Sequence, residues 1–146
     1  MELIQILQGV ATVLVALLAG SMLFFSFVMA PLIFIKLDND VAGKFVRAVF
    51  RWYYLLILIL AGLGALTLIA FAPINASLML LIAGSTAYCR QYLMPQINDY
   101  RDRSRAGEAE TTEIFDKLHR RSEVLNGLQL LVVMAVLLHL AFVQFS

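Results

Sequence analysis

Five polar residues gather where a charged stretch gives way to an apolar one. They are His119, Ser122, Glu123, Asn126 and Gln129, within FDKLHRRSEVLNGLQLL (115–131). On a helix, His119, Ser122, Asn126 and Gln129 share an arc of about 80° over nearly three turns, with Glu123 beside it. An imidazole, a hydroxyl, two carboxamides and a carboxylate on one face suit the binding of a small ligand or ion, and His119 is a candidate metal ligand. Lys117 and Arg121 point elsewhere and can snorkel to an interface. Asp116 and Arg120, four apart, can pair along the helix. Ser122 is expected to bond the carbonyl one turn back. Polar groups facing lipid are costly, so Asn126 and Gln129 should face other helices, with Arg90, Gln91 or Ser26 as partners. Arg90 is a second anomaly, because it follows an apolar stretch and needs a carboxylate or free carbonyls. Glu123 is the first candidate, while Arg47 and Arg51 approach from another segment. The expected site is a positively biased pocket of Arg90, Gln91, His119, Ser122, Glu123, Asn126 and Gln129.

The elements that must position these groups are apolar. Of the 146 residues, 62% are hydrophobic and 14% charged, against roughly 25% charged in soluble domains. Mean hydropathy is +0.87. Apolar stretches run over about 3–35, 52–71, 76–94 and 124–145. Each approaches or exceeds the roughly 20 residues that cross a hydrocarbon layer as a helix. Alternation of the membrane β-barrel kind is absent. The expectation is a single all-α membrane domain over 1–146, a four-transmembrane-helix bundle. The first stretch lacks the basic n-region of a signal peptide and is too long for its apolar core, so it should remain as a span. Cys89 is the only cysteine, which excludes an internal disulfide and a multi-cysteine metal site.

Charge placement predicts the topology. All 11 Lys and Arg lie within 36–51 and 90–121, and nine of the ten acids share that side. The positive-inside rule then puts the 36–51 and 95–123 segments in the cytoplasm as loops and both termini outside it, in a membrane of the bacterial inner type. Trp52, Tyr53, Tyr54, Tyr88 and Tyr92 mark the same boundary as an aromatic belt. Loops of mixed charge argue against nucleic acid as a partner. The lipid bilayer is the partner that the composition implies.

Small and polar residues recur on single faces: Gln8, Thr12, Ala19, Ser26 and Ala30 in the first span, and Gly84, Ala87, Gln91, Pro95 and Asn98 in the third. Ala61 and Ala65, beside Gly62, do so in the second. Close helix packing in lipid accounts for such faces. Pro31 and Pro95 lie near the cytoplasmic ends of their helices and should kink or end them, shaping a vestibule. The segment 102–111 has the composition of a linker.

SFVMAPLIFIKL, VAGKFVRAVFRWYY, YLMPQINDYRDR and FDKLHRRSEVLNGLQLL together resemble the transmembrane-protein-205-like domain family, over Phe24–Leu131. The matched positions are Pro31, Gly43, Pro95, His119, Ser122 and Asn126. The resemblance implies a four-span membrane protein of unsettled biochemistry, and it carries no catalytic residue across. The family is also distantly similar to four-helix copper-resistance and haem-biosynthesis membrane proteins, a likeness of fold alone.

Three functions remain open. A small-ligand or ion binding or transport module uses the polar stripe, Arg90 and the two prolines. A transporter this small would need a homo-oligomer. A haem- or metal-binding redox protein would use His119, with Met94 or Met22 as a second ligand. His139 lies about 30 Å further along the same helix and cannot share an iron with it in one subunit. A structural or assembly subunit of a membrane complex is the third. Gly-x-Ser-x-Gly, Walker and His-Glu-x-x-His motifs are absent, so the sequence leans away from an enzyme.

Overall fold

The computed structural model describes residues 2–144, and the described residues form four helices with no strand. Helix α1 is Glu2–Lys36, α2 is Asn39–Leu68, α3 covers 73–105, and α4 is Ala109–Gln144. Phe145, the last residue of the expected fourth span, lies outside the described residues. Three helical stretches, Glu2–Lys36, Asn39–Leu68 and Glu110–Phe142, are long and apolar enough to cross a membrane.

The helices outrun the apolar stretches that predicted them. Most of 36–51 and 95–123 is helical rather than loop. At 1.5 Å per residue, the 30 residues of α2 reach about 45 Å, well beyond a 30 Å hydrocarbon layer. Its first turns are the basic segment itself. Only short connections remain. Residues 102–111 are a tight reversal, because Gly107 at φ 95° ends α3. The Gly107 N–H donates to the Ser104 carbonyl at 3.2 Å and the Glu108 N–H to the Arg103 carbonyl at 3.3 Å, the pairing that closes a helix with a left-handed glycine. Arg103–Glu108 at 2.9 Å and the Ser104–Thr112 hydroxyl pair at 2.6 Å hold the reversal.

Neither proline ends its helix. Pro31 lacks an N–H, and its ring crowds the carbonyl four residues back. The chain answers with a wide π turn over Phe25–Met29, where the Ala30 N–H reaches the Phe25 carbonyl, and α1 runs on to Lys36. The same device precedes Pro95: a π turn over Cys89–Leu93, with the Met94 N–H bonded to the Cys89 carbonyl. Helix α3 then continues to Arg105.

The core runs along the bundle axis, with Val15, Leu18 and Met22 of α1, Ile57, Ala61, Ala65 and Leu68 of α2, Met79 and Ile82 of α3, and Val133 and Val136 of α4. Ala61 and Ala65 are fully buried, as close packing requires. A Cβ at Gly64 would just touch Val15 and Met79, whereas Gly84 and Gly62 face open space. Large apolar side chains also cover the outside, among them Leu3, Phe27, Leu66 and Leu131. Apolar surface on that scale suits lipid rather than water. Ala65→Leu should overpack the core and cost about 1–3 kcal/mol, whereas Leu66→Ala, on the outer face, should stay within about 0.5 kcal/mol of wild type. Thermal unfolding in mild detergent compares them; equal losses would overturn this packing.

Candidate functional site

Asn126 joins three helices. Its carboxamide oxygen accepts from the Tyr53 hydroxyl of α2 at 2.8 Å, and its nitrogen donates to the Ser26 hydroxyl of α1 at 3.0 Å. Ser26 lies inside the first π turn. An extra residue in a turn rotates the rest of the helix by about 100° relative to a regular one, so the turn that accommodates Pro31 also sets the bearing of Ser26. Tyr53 stacks on Phe25 at 4.2 Å between ring centres, and Phe50 and Tyr54 complete an aromatic cluster. The expected pairing of Asn126 with Ser26 is present; its bond to Tyr53 was missed, because Tyr53 read as an interfacial aromatic.

The other stripe residues find different partners. The Gln129 amide donates to the Ser85 hydroxyl at 2.7 Å and the Thr86 hydroxyl at 3.1 Å, both on α3. Neither Arg90 nor Gln91 reaches it. The Ser122 hydroxyl donates to the His119 carbonyl at 2.7 Å, as expected for a helix serine. The His119 Nε2 lies 3.3 Å from Glu123, one turn on, and its ring stacks on Phe115. Glu123 is therefore engaged along its own helix rather than with Arg90. At the opposite end of α4, the His139 Nδ1 meets the buried Asn75 amide at 2.8 Å. Among the described residues, no group of three His, Cys, Asp or Glu side chains lies close enough to hold a metal.

Two clefts flank the aromatic cluster and share Phe50 and Tyr54 as walls. The smaller, about 280 Å³, lies among α1, α2 and α4 and takes His119, Ser122, Glu123 and Asn126 against mostly apolar walls. The larger, about 610 Å³, lies between α2 and α3. Arg90, Gln91 and Pro95 line it from α3, and Lys44, Arg47, Arg51 and Trp52 from α2. The seven residues expected to form one site are thus divided: two in the larger cleft, four in the smaller, and Gln129 buried between α3 and α4. Pro31 lines neither. Lys44 and Asn98 were missed as site residues. The signal was the spacing of Lys44, Arg47 and Arg51 at i, i+3 and i+7, which puts them on one face of α2.

No carboxylate lines the larger cleft. Arg47 pairs with Asp102 at 2.7 Å, outside the lining. Among the described residues, Lys44, Arg51 and Arg90 have no carboxylate within ion-pair distance. More positive charge stands behind them. Arg101 lies over Gly43, where a Cβ would come within 2.7 Å of its guanidinium. Burial first, then the like charges of Arg105 and Arg47, lower the Arg101 guanidinium from its ordinary value, with Asp102 opposing; it stays charged at any ordinary pH. Arg105 reaches Asp40 at 3.1 Å and the Asn39 carbonyl at 2.7 Å, clasping the charged end of α3 to the start of α2.

A family model described as "Domain of unknown function (DUF4149)" matches residues 13–106, which include every residue lining the larger cleft. No curated protein and no solved structure matches the chain.

The Asn126 junction yields a quantitative expectation. In a double-mutant cycle of Tyr53→Phe and Asn126→Leu, the coupling should be about 0.6 kcal/mol and no more than about 1.7. Thermal or denaturant unfolding in detergent measures it. Additive effects would mean that the bond contributes nothing.

Proposed function

The chain belongs to the DUF4149 family, a membership that assigns no chemistry, and from that premise we propose that it is a four-span membrane protein whose cytoplasmic end binds a small anion. The observation that carries the reading is the carboxylate-free cleft between α2 and α3, with Lys44, Arg51 and Arg90 left without counter-charges. Lys44 and Arg51 are exposed and Arg90 is half-buried; cations gathered along one cleft repel one another, and a bound anion relieves that repulsion. Arginine presents forked donors matched to phosphate or carboxylate, and Lys44 adds a point charge. The amides of Gln91 and Asn98 can supply orientation.

The four-span reading is supported by the third helix. Its apolar part, Pro73–Tyr88, continues through the π turn to Leu93, about the length that crosses a bilayer. Ile74, Leu80 and Leu81 are exposed on it, as lipid contact requires. Four spans put both basic segments on one side, which the positive-inside rule makes cytoplasmic, with the termini opposite. That assignment fits a bacterial inner membrane. The resemblance to the transmembrane-protein-205-like family agrees with the span count. Ion or ligand passage would require a homo-oligomer, and nothing in the cleft depends on one.

Two experiments test the reading. A reporter placed in the 69–72 turn and another at Gly107 should be accessible from opposite faces of the membrane; accessibility from the same face would reject four spans. Inorganic phosphate, compared with chloride at matched ionic strength, should raise the unfolding midpoint of the purified protein by several degrees at about a hundred times its Kd. The double variant Arg51→Gln/Arg90→Gln should lose most of that rise, while Lys117→Gln, distant from the cleft, should keep it. An equal rise in both variants would reject the cleft as the site.

A further inference from the structure

We infer that the anion held in the α2–α3 cleft is the phosphate of an anionic phospholipid headgroup, bound from the surrounding bilayer. The inference rests on the anion-binding reading and names its ligand.

Trp52 supplies the first reason. It lines the cleft and is also 69% exposed, so the cleft is open where α2 faces outward. Below Trp52, the exposed residues Leu56, Ile59, Leu63 and Leu66 continue along α2 at steps of four, three, four and three. That spacing draws one apolar ridge down a single helix face. A headgroup in the cleft would thus have a track for its acyl chains beginning at the cleft's own wall.

Depth is the second. Arg90 stands between Tyr88 and Tyr92, whose rings stack at 6.1 Å and are exposed. Indole and phenol rings with one polar edge settle at the headgroup level, so the cations of the cleft stand at the level of lipid phosphates. Basic pockets between membrane helices on the cytoplasmic side are suited to such headgroups.

Charge gives the third reason, and it predicts selectivity. A zwitterionic headgroup brings an ammonium beside its phosphate. In this cleft that ammonium would meet Lys44, Arg51 and Arg90, beside an Arg47 already paired with Asp102, with no carboxylate in the lining to receive it. A headgroup ending in hydroxyls, such as glycerol, avoids the repulsion and can bond the amides of Gln91 and Asn98. The volume, about 610 Å³, accommodates a whole headgroup where a bare phosphate would leave most of the space to water.

Trp52 is the only tryptophan in the chain, so its fluorescence reports on this wall alone. The full-length protein would be reconstituted in phosphatidylcholine vesicles containing a few mole per cent of a lipid brominated on its acyl chains. Brominated phosphatidylglycerol should quench Trp52 with an apparent affinity on the order of tenfold above brominated phosphatidylcholine or phosphatidylethanolamine. Arg51→Gln/Arg90→Gln should remove the preference, and Lys36→Gln, outside the cleft, should retain it. Midpoints of unfolding in pure phosphatidylcholine check that each variant is folded. If a variant is not, the same comparison with Arg51→Gln alone decides. Equal quenching by all three lipids in the wild type would overturn the inference, as would a preference that survives in the Arg variant. If lipid preference is absent while inorganic phosphate still stabilises the protein, the lipid assignment falls and the anion site stands; if both are absent, both fall.

Discussion

A helix surrounded by apolar groups has nowhere else to send its backbone hydrogen bonds. That constraint shapes this bundle most visibly at its two inner prolines. In water, a proline near a helix end usually marks the end. Here α1 and α3 continue past Pro31 and Pro95, and each places a π turn immediately before the proline. The wide turn routes hydrogen bonds five residues back and leaves room for the ring. Geometry between helices comes out of this repair. One π turn contains Ser26, which meets Asn126 across the bundle; the other contains Arg90 and Gln91, which line the larger cleft. The prolines act through the residues they re-aim, and Pro31 touches neither cleft.

The polar residues of α4 answer the same constraint with side chains. Asn126, Gln129 and His139 reach neighbouring helices at successive levels. Each bond is modest in energy. Their value lies in register, because the hydroxyls of Ser85, Thr86 and Ser26 occupy single positions, and sliding α4 by a turn would leave several polar groups facing hydrocarbon at once. Buried side-chain nitrogen and oxygen atoms are all partnered among the described residues.

Much of this was legible in the sequence and part was not, for definite reasons. Helix number and class came from apolar stretches separated by charged segments or, between the second and third, by the uncharged break at Pro73, because hydrophobic length is a direct reading of what a bilayer demands. The inward bearing of Asn126 and Gln129, and the Ser26 partner, came from a regular 100° wheel. Residues 115–123 read as helix, but the helical extent of 36–51 and of the stretch after Pro95 did not emerge, since charge reports exposure and says little about backbone conformation. Nor did the separation of Arg90 from Glu123. A uniform wheel carries Arg90 on the bearing set by residues before Cys89, and the π turn breaks that bearing. Tyr53 was misjudged for another reason: an aromatic at a membrane boundary reads as an anchor, and only the three-dimensional packing shows its hydroxyl turned inward to Asn126.

The polar residues along the two clefts differ in how the chain itself partners them. Asn126 and Gln129 are bonded to protein, Ser122 to its own helix, and His119 and Glu123 to each other. Asn126 and Gln129 of the α4 stripe thus dock helices, while His119, Ser122 and Glu123 are bonded within α4 and line the smaller cleft. Lys44, Arg51 and Arg90 are in the opposite condition: three cations face one space, with their acids elsewhere in the chain. The acids were available, since Asp102 and Asp40 pair with Arg47 and Arg105 close by. Nearby acids thus neutralise Arg105, and Arg47 in the cleft wall, and leave Lys44, Arg51 and Arg90 of the cleft unneutralised. A protein that used these charges only to hold itself together would gain by moving one carboxylate into the cleft, where two arginines and a lysine already face it. With Lys44 and Arg51 exposed, water and mobile counterions share that space, and a bound anion would take their place.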